Sequence, residues 1–204
     1  MDTPIIVSNR APVLHLASAS PRRAAILESL GIVFTAAGVH VDERHRQQES
    51  ADAMVLRLAV EKAAAARSNR SGPVLAADTV VVVDSEVLGK PRHQDEALAM
   101  LARLSGRRHR VMTGVALHWD GNQRTALSVT EVTFRNISPD EALAYWQSGE
   151  PGDKAGAYAI QGLGGAFVES ISGSYTGVVG LPVFETVALL NMAGIDVIKS
   201  AAGS

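Results

Sequence analysis

The stretch Val74-Leu75-Ala76-Ala77-Asp78-Thr79-Val80-Val81-Val82-Val83 limits the fold more than any other part of this chain. It is β-branched and almost unbroken in its hydrophobicity. Such a run suits a strand covered on both faces, which calls for an α/β architecture. Its one charge, Asp78, is the anomaly, since a carboxylate in a covered strand costs several kcal/mol unless it is paired, metal-bound or at the strand's end. Period two sets Asp78 on the face of Val80 and Val82. A structural salt bridge would account for it, and so would a general base or a ligand for a hard cation.

Around that strand the sequence alternates between helix and strand signals. Val13 to Ala17 reads as a short buried strand. Ser20 then caps a helix with Pro21 at its first position, and Gly31 ends it. A second apolar stretch, Gly31 to Val41, reaches Asp42-Glu43, where a strand would end. Ser50 opens a helix to about Arg67 with Val55, Leu58, Ala59 and Lys62 on one face. After a turn at Asp84-Ser85, the chain returns through Leu88-Gly89-Lys90-Pro91. Asp95 to Leu104 reads as a helix closed at Gly106. Arg110 to Trp119 and Gln123 to Phe134 read as strands joined across Asp120-Gly121-Asn122. Ser138-Pro139-Asp140-Glu141 is a capping box, and its helix ends by Gly149. Half of the 18 glycines lie between Gly149 and Gly180, a backbone shaped by loops and close approaches. Leu181-Pro182 starts a last helix to about Met192. Residues 1–12 read as a disordered extension and 13–204 as one continuous α/β domain.

The bulk numbers exclude several classes. A net charge of −2 argues against a dedicated nucleic-acid binder. No apolar run is long enough to span a membrane, and no signal-peptide pattern precedes the first strand. The chain has no cysteine, which rules out disulfides, thiolate zinc sites and cysteine nucleophiles and fits a cytoplasmic protein. The six histidines form no close ligand pair, so zinc catalysis is not expected. If the chain associates, a homodimer is the expected form.

The segment Ser18-Ala19-Ser20-Pro21-Arg22-Arg23 sits between a strand and a helix start. Free N–H groups and the positive end of the helix dipole suit anions there, and two hydroxyls and two guanidiniums add to it. Ser-Pro caps and adjacent arginines are common separately; their coincidence after a buried strand favours a phosphate seat. The Walker A spacing is absent. Glu43 and Asp78 together offer the few carboxylates that Mg²⁺ takes alongside substrate phosphates, although surface acidic pairs are commonly just solvated. Lys62 can snorkel from its apolar face or neutralise phosphate charge, and Lys90 can do the latter from a short rigid loop. Gln161, between Ile160 and Gly162, carries an amide able to read the edge of a planar base.

In order along the chain, Leu-Ala-Ser-Ala-Ser-Pro-Arg-Arg, Val41-Asp42-Glu43, Glu61-Lys62-Ala63, Ala-Ala-Asp-Thr-Val-Val, Gly-Lys-Pro, Leu104-Ser-Gly-Arg107, Asp-Lys-Ala-Gly-Ala-Tyr and Val-Val-Gly-Leu-Pro resemble the motifs of the Maf family. That family was first described as septum-formation inhibitors and is understood as nucleoside triphosphate pyrophosphatases. The resemblance runs from about Val13 to Met192. It implies a single elongated, bilobed α/β domain with a mixed sheet, similar to the inosine triphosphate pyrophosphatase-like fold, with a cleft between lobes. It implies hydrolysis of a nucleotide to the monophosphate and pyrophosphate with a divalent cation, Mg²⁺ or Mn²⁺. By the same resemblance Asp78 is the catalytic acceptor, Arg22, Thr79 and Gln161 bear on substrate choice, and Ser18, Arg23, Glu43, Lys62 and Lys90 match other pocket residues. The expected mechanism on these residues has Glu43 and Asp78 hold the metal and Ser18, Arg23, Lys62 and Lys90 bind phosphate. Ala-Tyr-Ala-Ile-Gln-Gly resembles the branch acting on dTTP and UTP rather than the branch acting on 7-methyl-GTP. Ala159 stands where Gly is frequent, and Gly177 where Asn is. The competing readings are a nucleotide-binding regulator of cell division and a pyrophosphatase for ITP/XTP or 7-methyl-GTP.

Overall fold

The computed structural model describes residues 13–67 and 72–202, so the expected extension at 1–12 lies outside the described residues. In chain order the elements are β1 (Leu14–Leu16), α1 (Pro21–Ser29), β2 (Phe34–Ala36), α2 (Ala51–Arg67), β3 (Val74–Val83), β4 (Glu86–Leu88), α3 (Gln94–Leu104), β5 (Arg108–Trp119), β6 (Asn122–Phe134), α4 (Pro139–Gln147), β7 (Val168–Ser172), α5 (Tyr175–Val179), α6 (Val183–Met192) and α7 (Val197–Ala202). The strands form one open sheet in the order β2-β1-β3-β5-β6-β7, with β4 paired to β3. β1 runs parallel to β2 and β3, whereas β4 and β7 pair antiparallel with β3 and β6. The sheet is therefore mixed, and the α/β class expected from the sequence is borne out.

The chain divides into two compact units. Of the described residues, the first takes those up to Asp78, Thr113–Ser128, and those from Gly180 on; the second takes Thr79–Met112 and Val129–Val179. The division falls inside β3, immediately after its one carboxylate.

In the first unit both faces of the strands are covered, as an apolar run without polar alternation requires. Leu75, Ala77, Val115 and Leu117 join Leu16, Leu27 and Leu190 in one cluster. Val74, Ala76 and Ala116 turn to the other face and meet Ala59, Ala63 and Ala66 of α2. That second cluster is almost all alanine, so α2 can lie close to the strands. Gly114 marks the nearest approach: a Cβ there would stand 2.6 Å from the Val55 carbonyl group. Asp78 shares the parity of Val74 and Ala76 and thus turns to the α2 face.

In the second unit the core sets aromatic rings among aliphatic side chains. Phe134 lies edge-on to His109 at 4.8 Å and to Tyr158 at 4.7 Å between ring centroids, and Phe167 meets Tyr145 at 5.1 Å. Leu101, Leu104 and Val132 are among the aliphatic residues packed with them.

Two expectations need correction. β2 stops at Ala36, so Asp42-Glu43 lies in an irregular segment well past the strand. The reason is its partner: β1 is only Leu14–Leu16, and among the described residues no further strand extends the ladder. The glycine-rich stretch also holds β7 and α5, and α7 follows the helix expected to be last. β7 reads Val-Glu-Ser-Ile-Ser and is mostly exposed, so its strand character comes from pairing with β6 rather than from its own pattern.

Candidate active site

The first unit holds Ser18, Arg22, Arg23, Glu43, Lys62 and Asp78, six of the site residues expected from the sequence. Ser20 caps α1, its hydroxyl accepting from the Arg23 amide at 3.4 Å. The Ser18 hydroxyl accepts from the Ser20 amide and from Arg23 Nη1, each at 3.2 Å. Arg23 Nε donates to the Gly180 carbonyl at 2.8 Å, which ties α1 to the Gly180-Leu181-Pro182 turn. The guanidinium is thus aimed by two bonds. Gly180 was not singled out from sequence; its only signal was its place in the Val-Val-Gly-Leu-Pro motif.

Lys62 and Asp78 are both buried. Lys62 Nζ donates to Asp78 Oδ1 at 2.6 Å and stands equally close to Glu43 Oε1. Lys62 reaches the site because Val55, Leu58, Ala59 and Lys62 recur on one helical face, and the alanine packing sets that face against β3. The ammonium does not snorkel. Asp78 is thereby paired, which meets the cost that its place in a covered strand raised.

Burial pushes the Arg23 guanidinium below its ordinary value. Asp78 pulls it back up, Arg22 pushes it further down, and Glu43 raises it. These groups therefore act on one another as a single charged cluster. Arg22, Arg23 and Lys62 stand against the two carboxylates Glu43 and Asp78, which leaves a cationic surplus at a helix N-terminus suited to an anion.

The segment carrying Glu43 is fastened by residues that sequence reasoning did not single out. Arg57 donates to Glu49 at 2.5 and 2.8 Å and to Glu61 at 3.2 Å, and Arg46 donates to Glu61 at 2.8 Å. The Arg57 bond holds the Glu49 carboxyl down to about 2. The spacing of Arg57 and Glu61, one helical turn apart, was the only available signal.

Thr79, Lys90 and Gln161 belong to the second unit. Thr79 is half-buried, while Lys90 and Gln161 are exposed. The Gly89 carbonyl, next to Lys90, accepts from the Gly156 amide at 3.0 Å, so the Gly-Lys-Pro loop is tied to the Asp-Lys-Ala-Gly-Ala-Tyr segment. Gln161 lies in a tight turn in which the Gly162 amide donates to the Ala159 carbonyl at 3.1 Å. Ala159 is not in the left-handed region; among the described residues of this segment without a glycine's freedom, Ala157 is, at φ 58°. The departure from glycine at Ala159 thus carries no backbone strain.

Among the described residues no group of three or more His, Cys, Asp or Glu side chains could hold a metal. Glu43 and Asp78, however, each bring a carboxylate oxygen within 2.6 Å of one point, the Lys62 ammonium. The ammonium takes that point itself, so a divalent cation would have to draw on these two carboxylates beside Lys62, with its remaining ligands from phosphate and water. No helix among the described residues is long and apolar enough to cross a membrane.

The family model for Maf-like proteins matches residues 13–193. The chain belongs to the Maf-like family. Among curated Maf-like relatives, a dTTP/UTP pyrophosphatase of Saccharophagus degradans is 48% identical over 194 residues, covering 93% of this chain and 92% of that protein. A dTTP/UTP pyrophosphatase of Alkalilimnicola ehrlichii is 50% identical over 192 residues, covering 91% and 95%. The solved Ham1 protein of Staphylococcus aureus is 14% identical and aligns with 59% of this chain and 71% of its own at a TM-score of 0.44.

Proposed function

We propose that this chain hydrolyses dTTP and UTP to the monophosphate and pyrophosphate, and so clears unwanted pyrimidine nucleotides from the cytoplasmic pool. The observation that carries this reading is the Lys62 ammonium shared by Asp78 and Glu43, in one charged cluster with Arg23. Its support in sequence is the near-half identity to relatives named dTTP/UTP pyrophosphatase.

In this reading the triphosphate lies against the N-terminus of α1. The Ser18 hydroxyl, Arg23 and Lys62 neutralise its oxygens, and Lys90 adds a further positive charge. Asp78 takes a proton from a water as that water attacks the α-phosphorus. The new P–O bond forms as the α–β anhydride bond breaks, and pyrophosphate departs. Lys62 fixes Asp78 through Oδ1, so the base is held without rearrangement at the moment of reaction. A divalent cation, Mg²⁺ or Mn²⁺, would be held by Glu43 and Asp78 and would supply charge neutralisation for the phosphate oxygens and the leaving group. Arg22, Thr79 and Gln161 bear on which nucleotide is taken, with Gln161 assigned to the base edge.

Pyrophosphate release from dTTP, UTP, CTP, ITP and 7-methyl-GTP, with Mg²⁺ or Mn²⁺ and after chelation, tests the reading. Release from dTTP and UTP well above the others, lost on chelation, is expected. Release from none of the five would sink the enzymatic reading in favour of a nucleotide-binding regulator.

A further inference from the structure

The loop that carries Gln161 is held from both ends by two side chains with no assigned role. The Glu150 carboxylate accepts from the Leu163 amide at 3.0 Å through Oε2, and from the Gly164 amide at 3.0 Å through Oε1. It also accepts from the Tyr145 hydroxyl at 2.6 Å. That hydroxyl in turn accepts from the Ala159 amide at 3.0 Å. Ala159 precedes Gln161 by two residues and Leu163 follows it by two, so the clamp closes on both sides of the exposed glutamine. Gly162 completes the fit: a Cβ there would stand 2.1 Å from Glu150 Oε2. Tyr145 is buried in the aromatic core, so the clamp is anchored to the rigid part of its unit.

A carboxamide is an ambiguous reader. Turned one way it donates to the O4 of thymine or uracil and accepts from N3–H; turned the other way it suits cytosine. A side chain on a loose loop can present either edge. A backbone fixed at both ends sets where that side chain starts and so limits which of the two edges meets the base. Burial raises the Glu150 carboxyl, but the Tyr145 hydroxyl, the Gly164 and Leu163 amides and Lys154 together hold it below its ordinary value, so the acceptor stays charged near neutral pH.

We infer that Glu150, acting with Tyr145, is the positioning residue that fixes the Gln161 loop and thereby sets discrimination between thymine or uracil and cytosine nucleotides. This rests on the assignment of Gln161 to the base edge, and the test separates the two. Steady-state kcat and KM for dTTP and dCTP are compared for the wild type and the Glu150→Gln, Tyr145→Phe and Gln161→Ala variants, together with the Glu150→Gln/Gln161→Ala double variant. Melting curves check that each is folded, and Tyr145→Phe, which removes only a hydroxyl, serves if Glu150→Gln does not fold. Glu150→Gln should lower the dTTP-over-dCTP preference in kcat/KM by about tenfold, mainly through KM for dTTP, with kcat within about threefold of wild type. The double variant should be no less selective than Gln161→Ala alone. Amide exchange at Ala159, Leu163 and Gly164 should quicken in the Glu150 variant.

Loss of preference in Gln161→Ala but not in Glu150→Gln or Tyr145→Phe overturns the inference and leaves the base-edge assignment standing. Loss in the Glu150 and Tyr145 variants but not in Gln161→Ala supports the clamp and moves the reading to another residue of the loop. Slower turnover of both nucleotides in equal proportion, or no change in any variant, overturns the inference, because a purely structural contact would not alter the ratio.

Discussion

The two units of this protein are built from different stock. The first packs leucine, valine and alanine against its strands, and on the α2 side the contact is almost wholly alanine. The second gathers the ring–ring contacts found among the described residues: His109, Phe134, Tyr145, Tyr158 and Phe167. Away from the exposed ion pairs, which the second unit also carries in Arg107–Asp84 and Arg135–Glu141, the polar chemistry differs in the same way. In the first unit formal charges meet formal charges, Lys62 with Asp78 and Glu43, over the short distance that small side chains allow. In the second, Glu150 and Tyr145 bond mainly to backbone amides and so shape a loop. The lesson is that small residues fix charges by letting elements approach, whereas rings and side-chain-to-backbone bonds fix a loop that has no ladder of its own. Loss of charge should therefore strike turnover and stability in the first unit, and changes in the second should register in stability against pH and in selectivity.

The largest effect is expected at Asp78. Asp78→Asn keeps the shape but cannot accept the proton, and pyrophosphate release from dTTP should fall ~10³-fold or more with the circular dichroism spectrum unchanged. Turnover near that of the wild type would remove Asp78 from its role. Next comes Lys62→Met. Removing one partner leaves a buried carboxylate uncompensated, and urea unfolding should show a loss of about 3–5 kcal/mol. An unchanged midpoint would mean that the pair is not what fixes β3 against α2.

The second unit should show a pH dependence set by a buried imidazole. Burial depresses the His109 imidazole from 6.5 to about 4. Between those values the unfolded chain binds the extra proton and the folded one does not, so stability is full above the upper value and falls as pH drops toward the lower. The loss should be on the order of 3 kcal/mol, read from unfolding curves across that window, and a His109→Phe variant should flatten it. The smallest effect is expected at Gly114→Ala, where the new methyl meets the α2 backbone and must push it away. A destabilisation of about 1–3 kcal/mol is expected. Its KM for dTTP should rise as Lys62 is displaced, whereas an alanine tolerated without either change would show that the close approach is not what holds the site.

Much of the fold was legible in the residue order. β3 runs over the ten residues that the apolar run marks, and the Ser20 and Ser138 caps open the helices they signal. Local chemistry suffices there, since a cap or a β-branched run has the same meaning in any context. β7 was not legible, because an exposed polar segment becomes a strand only when β6 offers its edge. The irregular path of Asp42-Glu43 was not legible either, since it depends on where β1 ends.

The site divides along the same line. The sequence by itself determined the residue types: an anion seat at Ser18 to Arg23, a carboxylate in a covered strand, a lysine on an apolar helical face and an amide in a glycine-rich loop. It left open whether Lys62 lay in solvent or in the core, and it did not single out Gly180, Arg57 or Glu150. The tertiary structure decided these, for each depends on a partner far along the chain: Lys62 on Asp78, Arg23 on Gly180, and Glu150 on the amides of Leu163 and Gly164. Bonds between distant residues are set by how α2 and the loops pack, and packing depends on complementary shapes that the order of residues does not display.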